Sequence, residues 1–174
     1  LKIEQVKQVL SEFKINIDEK NNRLIEFLRV PLHLNLFCKL RITKQFNDSI
    51  SLQKLYDEIW IEFIEQSIYI QPEKLIDALT IIAQRMNDQQ QIVVDKRLFS
   101  LYYKEVNFLL HNELLGEYTS DKMQFIHQTF FDYVYSRTFI DSGKSVTNWL
   151  SKIHQGLFIR SQTKQIFSYL RELD

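Results

Sequence analysis

The residues with chemistry to offer gather in one segment, Phe125-Ile126-His127-Gln128-Thr129-Phe130-Phe131-Asp132-Tyr133. It reads as a strand ending in histidine, followed by an aromatic-rich helix. An imidazole can both donate and accept a hydrogen bond, and its charge is adjustable near neutral pH. The other three histidines, His33, His111 and His154, are scattered. Carboxylate pairs such as Asp57-Glu58 fall on the solvent face of an amphipathic pattern, where solvation rather than acid–base work is expected. Cys38 reads as a buried, small apolar residue. Neither GxxxxGK[ST] nor GxGxxG occurs, and there is no HExxH, zinc spacing or nucleophile elbow. Gly143-Lys144-Ser145 lacks the preceding glycine and strand of a phosphate loop and reads as a helix-break turn. No catalytic and no metal-ligating residue is therefore assigned, and no turnover is expected from this chain alone.

The elements that must position His127 are constrained by composition. The chain has 174 residues, 45% hydrophobic and 25% charged, with 22 basic and 22 acidic side chains and a net charge of zero. Those are globular values with enough chain for a real core. Three glycines and two prolines are too few for an all-β fold with many tight turns, so long helices with short links are favoured. One cysteine excludes an internal disulfide framework. Zero net charge argues against strong non-specific nucleic-acid binding, which rests on basic residues neutralising phosphates. No apolar run is long enough to span a membrane, and no signal-peptide pattern opens the chain. The expected location is the cytoplasm. A start at Leu1 without methionine and an end in a helical pattern suggest a piece of a longer protein.

Hydrophobic spacing predicts a helix over 1–13 and a short one over 23–30. Pro31 sits where a third would begin, since proline suits the first helical position. Leu32, Leu36, Phe37 and Leu40 carry that third helix. Loops are expected at 14–22 and 44–51, the latter ending in Ser51 as a helix cap. The clearest helical signal is 52–69, where apolar residues from Leu52 to Ile64 recur at three and four residues. Pro72 opens a helix with Leu75, Leu79, Ile82, Ala83 and Met86 inside. Ile92-Val93-Val94 suggests a short strand, and Asp95 caps a helix over 96–113. Residues 114–118 and 123–127 read as a β-hairpin. Helices follow over 128–140, around Val146–Ile153, and around Thr163–Leu170 with Thr163, Ile166, Phe167 and Leu170 marking its face.

The expectation is therefore a mainly α chain: a small helical bundle, a winged-helix domain with one β-hairpin, then a helical pair. The corresponding domains are 1–70, 72–140 and 141–174. The last could begin a stacked helical array, because one pair cannot bury its outward face.

The segment quoted above resembles the end of the winged-helix domain in NACHT-type signal-transduction NTPases of the STAND class. There the pattern is roughly Phe-x-His-x-(Thr/Ser)-Phe-x-(Glu/Asp)-(Tyr/Phe), matched at Phe125, His127, Thr129, Phe130, Asp132 and Tyr133. Upstream, Arg29-Val30-Pro31-Leu32-His33-Leu34 looks like the Pro-Leu element of the first helical domain in the same family. The tail, Gly143-Lys144-Ser145 and His154-Gln155-Gly156-Leu157-Phe158-Ile159-Arg160, is similar to bacterial members associated with antiphage defence. The resemblance covers nearly the whole chain but lacks the α/β core with its Walker A and B motifs, which it places before Leu1. It implies ADP/ATP as cofactor, with Mg in the parent protein, held mainly by that core. His127 would contact a phosphate of ADP and hold the resting state closed, and Pro31 would pack against the adenine. ATP exchange or a protein trigger would release the winged helix for homo-oligomerisation and signal transduction.

Two other readings stand beside it. A DNA-binding winged helix would place helix 96–113 in the major groove, with Lys96, Arg97 and Lys104 available but diluted by Asp95, Glu105 and Glu113. A helical interaction scaffold would use no phosphate chemistry, leaving His127 as a satisfied strand-end histidine and Pro31 as a helix-start proline.

Overall fold

A computed structural model describes residues 1–15, 22–40, 51–143, 145–152, 156 and 158–173. The chain is mainly helical, with one small antiparallel sheet, and divides into two compact units, Leu1–Gln66 and Ser67–Asp174. The loops expected at 14–22 and 44–51 lie largely outside the described residues, as do Lys144, Ile153, His154, Gln155 and Leu157 of the expected tail.

The first unit holds α1 (Ile3–Glu12), α2 (Asn22–Leu28), α3 (Pro31–Lys39) and α4 (Leu52–Trp60), each packed on the next. Pro31 takes the first turn of α3, and Val30 before it is extended (φ −76°, ψ 120°), as the clash with a proline ring demands. Ser51 caps α4, its hydroxyl accepting from the Lys54 amide at 3.1 Å. The core is Val6, Leu10, Leu24, Leu28, Phe37, Leu55, Ile59, Trp60 and Ile64, with Cys38 buried among the same helices.

The helix expected over 52–69 does not run that far. After Trp60 it widens into a π turn, Ile61–Glu65, closed by the Gln66 amide donating to the Ile61 carbonyl at 2.8 Å. The wider turn still buries Ile64, so the apolar stripe continues although the α geometry does not.

The second unit opens with α5 (Pro72–Gln89), whose predicted inner face, Leu75, Leu79, Ile82, Ala83 and Met86, is buried throughout. There follow β1 (Val94–Asp95), a 3-10 helix (Lys96–Tyr102), α6 (Tyr103–His111), β2 (Leu115–Thr119), β3 (Lys122–Phe125) and α7 (Gln128–Asp141). This is the element order of a winged helix. The sheet order is β1-β3-β2, all antiparallel, with Val94 opposite Met123 and Leu115 opposite Phe125. Two expectations are corrected here. The first strand lies at 94–95 rather than 92–94, because pairing with β3 selects those residues and leaves Ile92 half exposed. The helix expected over 96–113 is two pieces. Asp95 does cap it, accepting from the Arg97 amide at 2.9 Å, but only Phe99 of the first seven residues is buried, and its backbone leaves the helical region (φ −115°, ψ 28°).

Two further helices, α8 (Val146–Lys152) and α9 (Ile159–Leu173), complete the unit. α7 lies between α5 and α9. It is buried on nearly all sides, including Phe130, Phe131, Tyr133, Val134, Tyr135 and Phe139. Of the expected face of α9, Ile166 is buried and Phe167 is exposed; Gln162 and Tyr169 are buried beside Ile166, and so is Phe158 just before the helix. Among the described residues no helix is long and apolar enough to cross a membrane.

Candidate functional site

His127 stands at the junction of β3 and α7. The ladder reaches Ile126, whose amide donates to the Leu114 carbonyl at 3.3 Å, and the backbone stays extended through His127 (φ −150°, ψ 146°) before the helix begins. Phe125 pins the junction from inside: its ring meets Phe130 edge-on at 6.0 Å and Phe131 at 5.6 Å. The imidazole itself is exposed.

That imidazole is the N-cap of α7. Its Nδ1 accepts from the Thr129 amide at 3.2 Å and lies 2.8 Å from the Thr129 hydroxyl. A backbone N–H can only donate, so Nδ1 must present a lone pair. The neutral ring then carries its proton on Nε2, which has no protein partner among the described residues. The cap thus fixes both the tautomer and the ring's orientation, and leaves one N–H donor at the surface beside a helix N-terminus. Such a place favours an anion.

Pro31 belongs to the first unit and is exposed at the start of α3. Its neighbourhood is ordered by His33, whose Nδ1 donates to the Phe27 carbonyl at 2.8 Å and whose ring stacks on Phe27 with centroids 4.1 Å apart. His33 is therefore engaged in holding α2 to α3.

One residue of the motif has a role that reading the sequence missed. Asp132 is 4% exposed within the aromatic helix α7. Gln128 Nε2 donates to its Oδ1 at 3.3 Å. Burial pushes its carboxyl up to about 6, against the opposing pull of hydrogen bonds from Ser161 and Gln128. The signal was present: Asp132 is flanked by Phe131 and Tyr133 in a helix with no polar face.

The surface that a DNA-reading winged helix would use is differently equipped. Lys96 pairs with Glu117, and Arg97 forks onto the Asp95 carboxylate at 2.5 and 3.0 Å. That guanidinium holds the Asp95 carboxyl down at about 2. Leu98 is 53% and Leu101 94% exposed, one on each side of the non-helical Phe99. Among the described residues, no cluster of three or more His, Cys, Asp or Glu side chains is placed to hold a metal ion. Compared with protein-family models, curated proteins and solved structures, the chain matches none.

Proposed function

We propose that this chain is the helical and winged-helix regulatory portion of a NACHT-type STAND NTPase, acting in bacterial antiphage defence. In this reading a nucleotide-binding core of the same polypeptide holds ADP or ATP with Mg. His127 touches a phosphate from the lid side, and Pro31 packs on the adenine. Loss of that contact frees the winged helix to swing out and the protein to form homo-oligomers in response to a protein trigger. One observation carries the reading: the cap on α7 orients His127 so that its Nε2–H faces outward as a preset donor. A state that binds ADP more tightly when closed than when open is biased toward closure by ADP.

The test is nucleotide retention in the parent polypeptide. Purified protein is heated and the released nucleotide identified by chromatography, beside His127→Ala and His127→Ser. Stoichiometric ADP is expected in the parent and less in both variants. Serine is a good N-cap but offers no ring N–H. If His127→Ser retains ADP like the parent, the histidine serves only to cap. If no preparation holds nucleotide, the switch reading falls.

A second reading, a helical protein-interaction scaffold, is favoured by the exposed side chains of Leu98 and Leu101. It predicts capture of an apolar protein surface, weakened by Leu101→Ser, with no nucleotide dependence.

A further inference from the structure

α9 seats along α7 through a seam of mixed character. Its apolar part is well made: Phe158 meets Phe131 edge-on with centroids 5.0 Å apart, and Ile166 and Tyr169 are buried. Its polar part is poorly balanced. Asp132 on α7 is buried against the Ser161 hydroxyl of α9, whose single proton is directed to the Phe158 carbonyl at 2.9 Å. The next residue on α9, Gln162, is 1% exposed and its Nε2 has no hydrogen-bond partner, nor has the buried hydroxyl of Thr163. Buried polar groups left unpaired weaken a contact, and a buried carboxylate weakens it more once ionised.

From this geometry we infer that the seam is an acidity-controlled latch, in which α9 is held on α7 while Asp132 is protonated and loosens when Asp132 ionises. The neutral carboxyl donates one hydrogen bond and is cheap to bury. The charged one must be held among aromatic rings by the Gln128 amide and a hydroxyl already shared with a carbonyl. Burial places the change near pH 6, between mildly acidic and neutral conditions. Charged side chains on the packed elements turn to solvent instead: Arg160, Lys164 and Arg171 on α9, those of α5 from Glu73 to Asp88, and Lys122 on β3 are all exposed. On α7 itself Asp141 is exposed, and Arg137 reaches the Tyr133 hydroxyl at 3.0 Å and lies over the Tyr169 ring. The latch stands apart from the nucleotide reading and fails or survives separately.

The test is hydrogen exchange on the full chain from pH 5 to 7.5, corrected for the intrinsic pH dependence of exchange. Amides of α9 are expected to lose protection as pH rises, by roughly ten- to a hundred-fold over the titration. Amides of α5 keep theirs, and Asp132→Asn removes the pH dependence of α9. Protection of α9 that is flat with pH, that falls equally in α5, or that still falls in Asp132→Asn overturns the latch. Should Asp132→Asn not fold, carbon NMR of the unaltered chain decides: an Asp132 carboxyl titrating below pH 5 also overturns it.

Discussion

The imidazole of His127 combines a structural job with an outward-facing donor, and substitution separates the two. His127→Ala removes the cap of α7 and should cost about 1 kcal/mol in denaturant unfolding, whereas His127→Ser should restore most of that. Equal loss in both variants would show that packing of the ring, not its Nδ1, matters there. Asp132 gives a pH signature. Its carboxyl is raised in the folded state, so between the unfolded value near 4 and the folded value near 6 the native state binds more protons. Stability contributed by this group is full below pH 4 and declines as pH climbs through 6, by on the order of 3 kcal/mol in all. Urea midpoints measured from pH 4 to 7 check this: Asp132→Asn should flatten that decline. The motif brought attention to both residues, but their physical roles needed neighbours. Ser161 lies far along the chain from Asp132, and no spacing rule links them. The cap, by contrast, was readable in principle, since Thr129 follows two residues after His127.

Among the elements, helices whose apolar stripe is fully buried were the legible ones. α5 presents every residue its spacing assigned to the core. Leu79→Ala should therefore cost 2–5 kcal/mol, as a fully buried leucine leaves a cavity that its neighbours only partly fill. A cost below about 1 kcal/mol in thermal unfolding would mean α5 is not central to its unit. Where spacing misled, backbone hydrogen bonding had made the choice. The stripe of 52–69 continues to Ile64, yet the Gln66–Ile61 bond turns its last part into a π turn. Nothing in side-chain periodicity distinguishes these, because both bury Ile64. The 96–113 segment broke where a single buried residue, Phe99, anchors seven. The end of α7 was signalled by Gly143, which has φ +66°. Gly143→Ala places a side chain in that left-handed conformation with open space around it, so the cost, about 1 kcal/mol, is conformational rather than steric.

Across the whole molecule, charge balance and the mainly α class could be read from composition; the end of the first bundle, expected at residue 70 from the order of elements, lies beside the partition at Gln66, which no Gly/Pro-rich linker marks. Zero net charge, with Lys96 and Arg97 held by Glu117 and Asp95, predicts no salt-steep shift with duplex DNA; a mobility titration at two ionic strengths checks it. The position of α7 has a consequence for synthesis. Its partner α5 precedes it in the chain, but α9, which covers the Phe131 side, is made after it. Until α9 has been translated, α7 waits with aromatic rings uncovered, the state in which nascent chains stick to one another or recruit chaperones. A ribosome-stalled chain ending at residue 152 should therefore bind a holdase more tightly than one stalled beyond α9, because only the second covers the Phe131 side of α7.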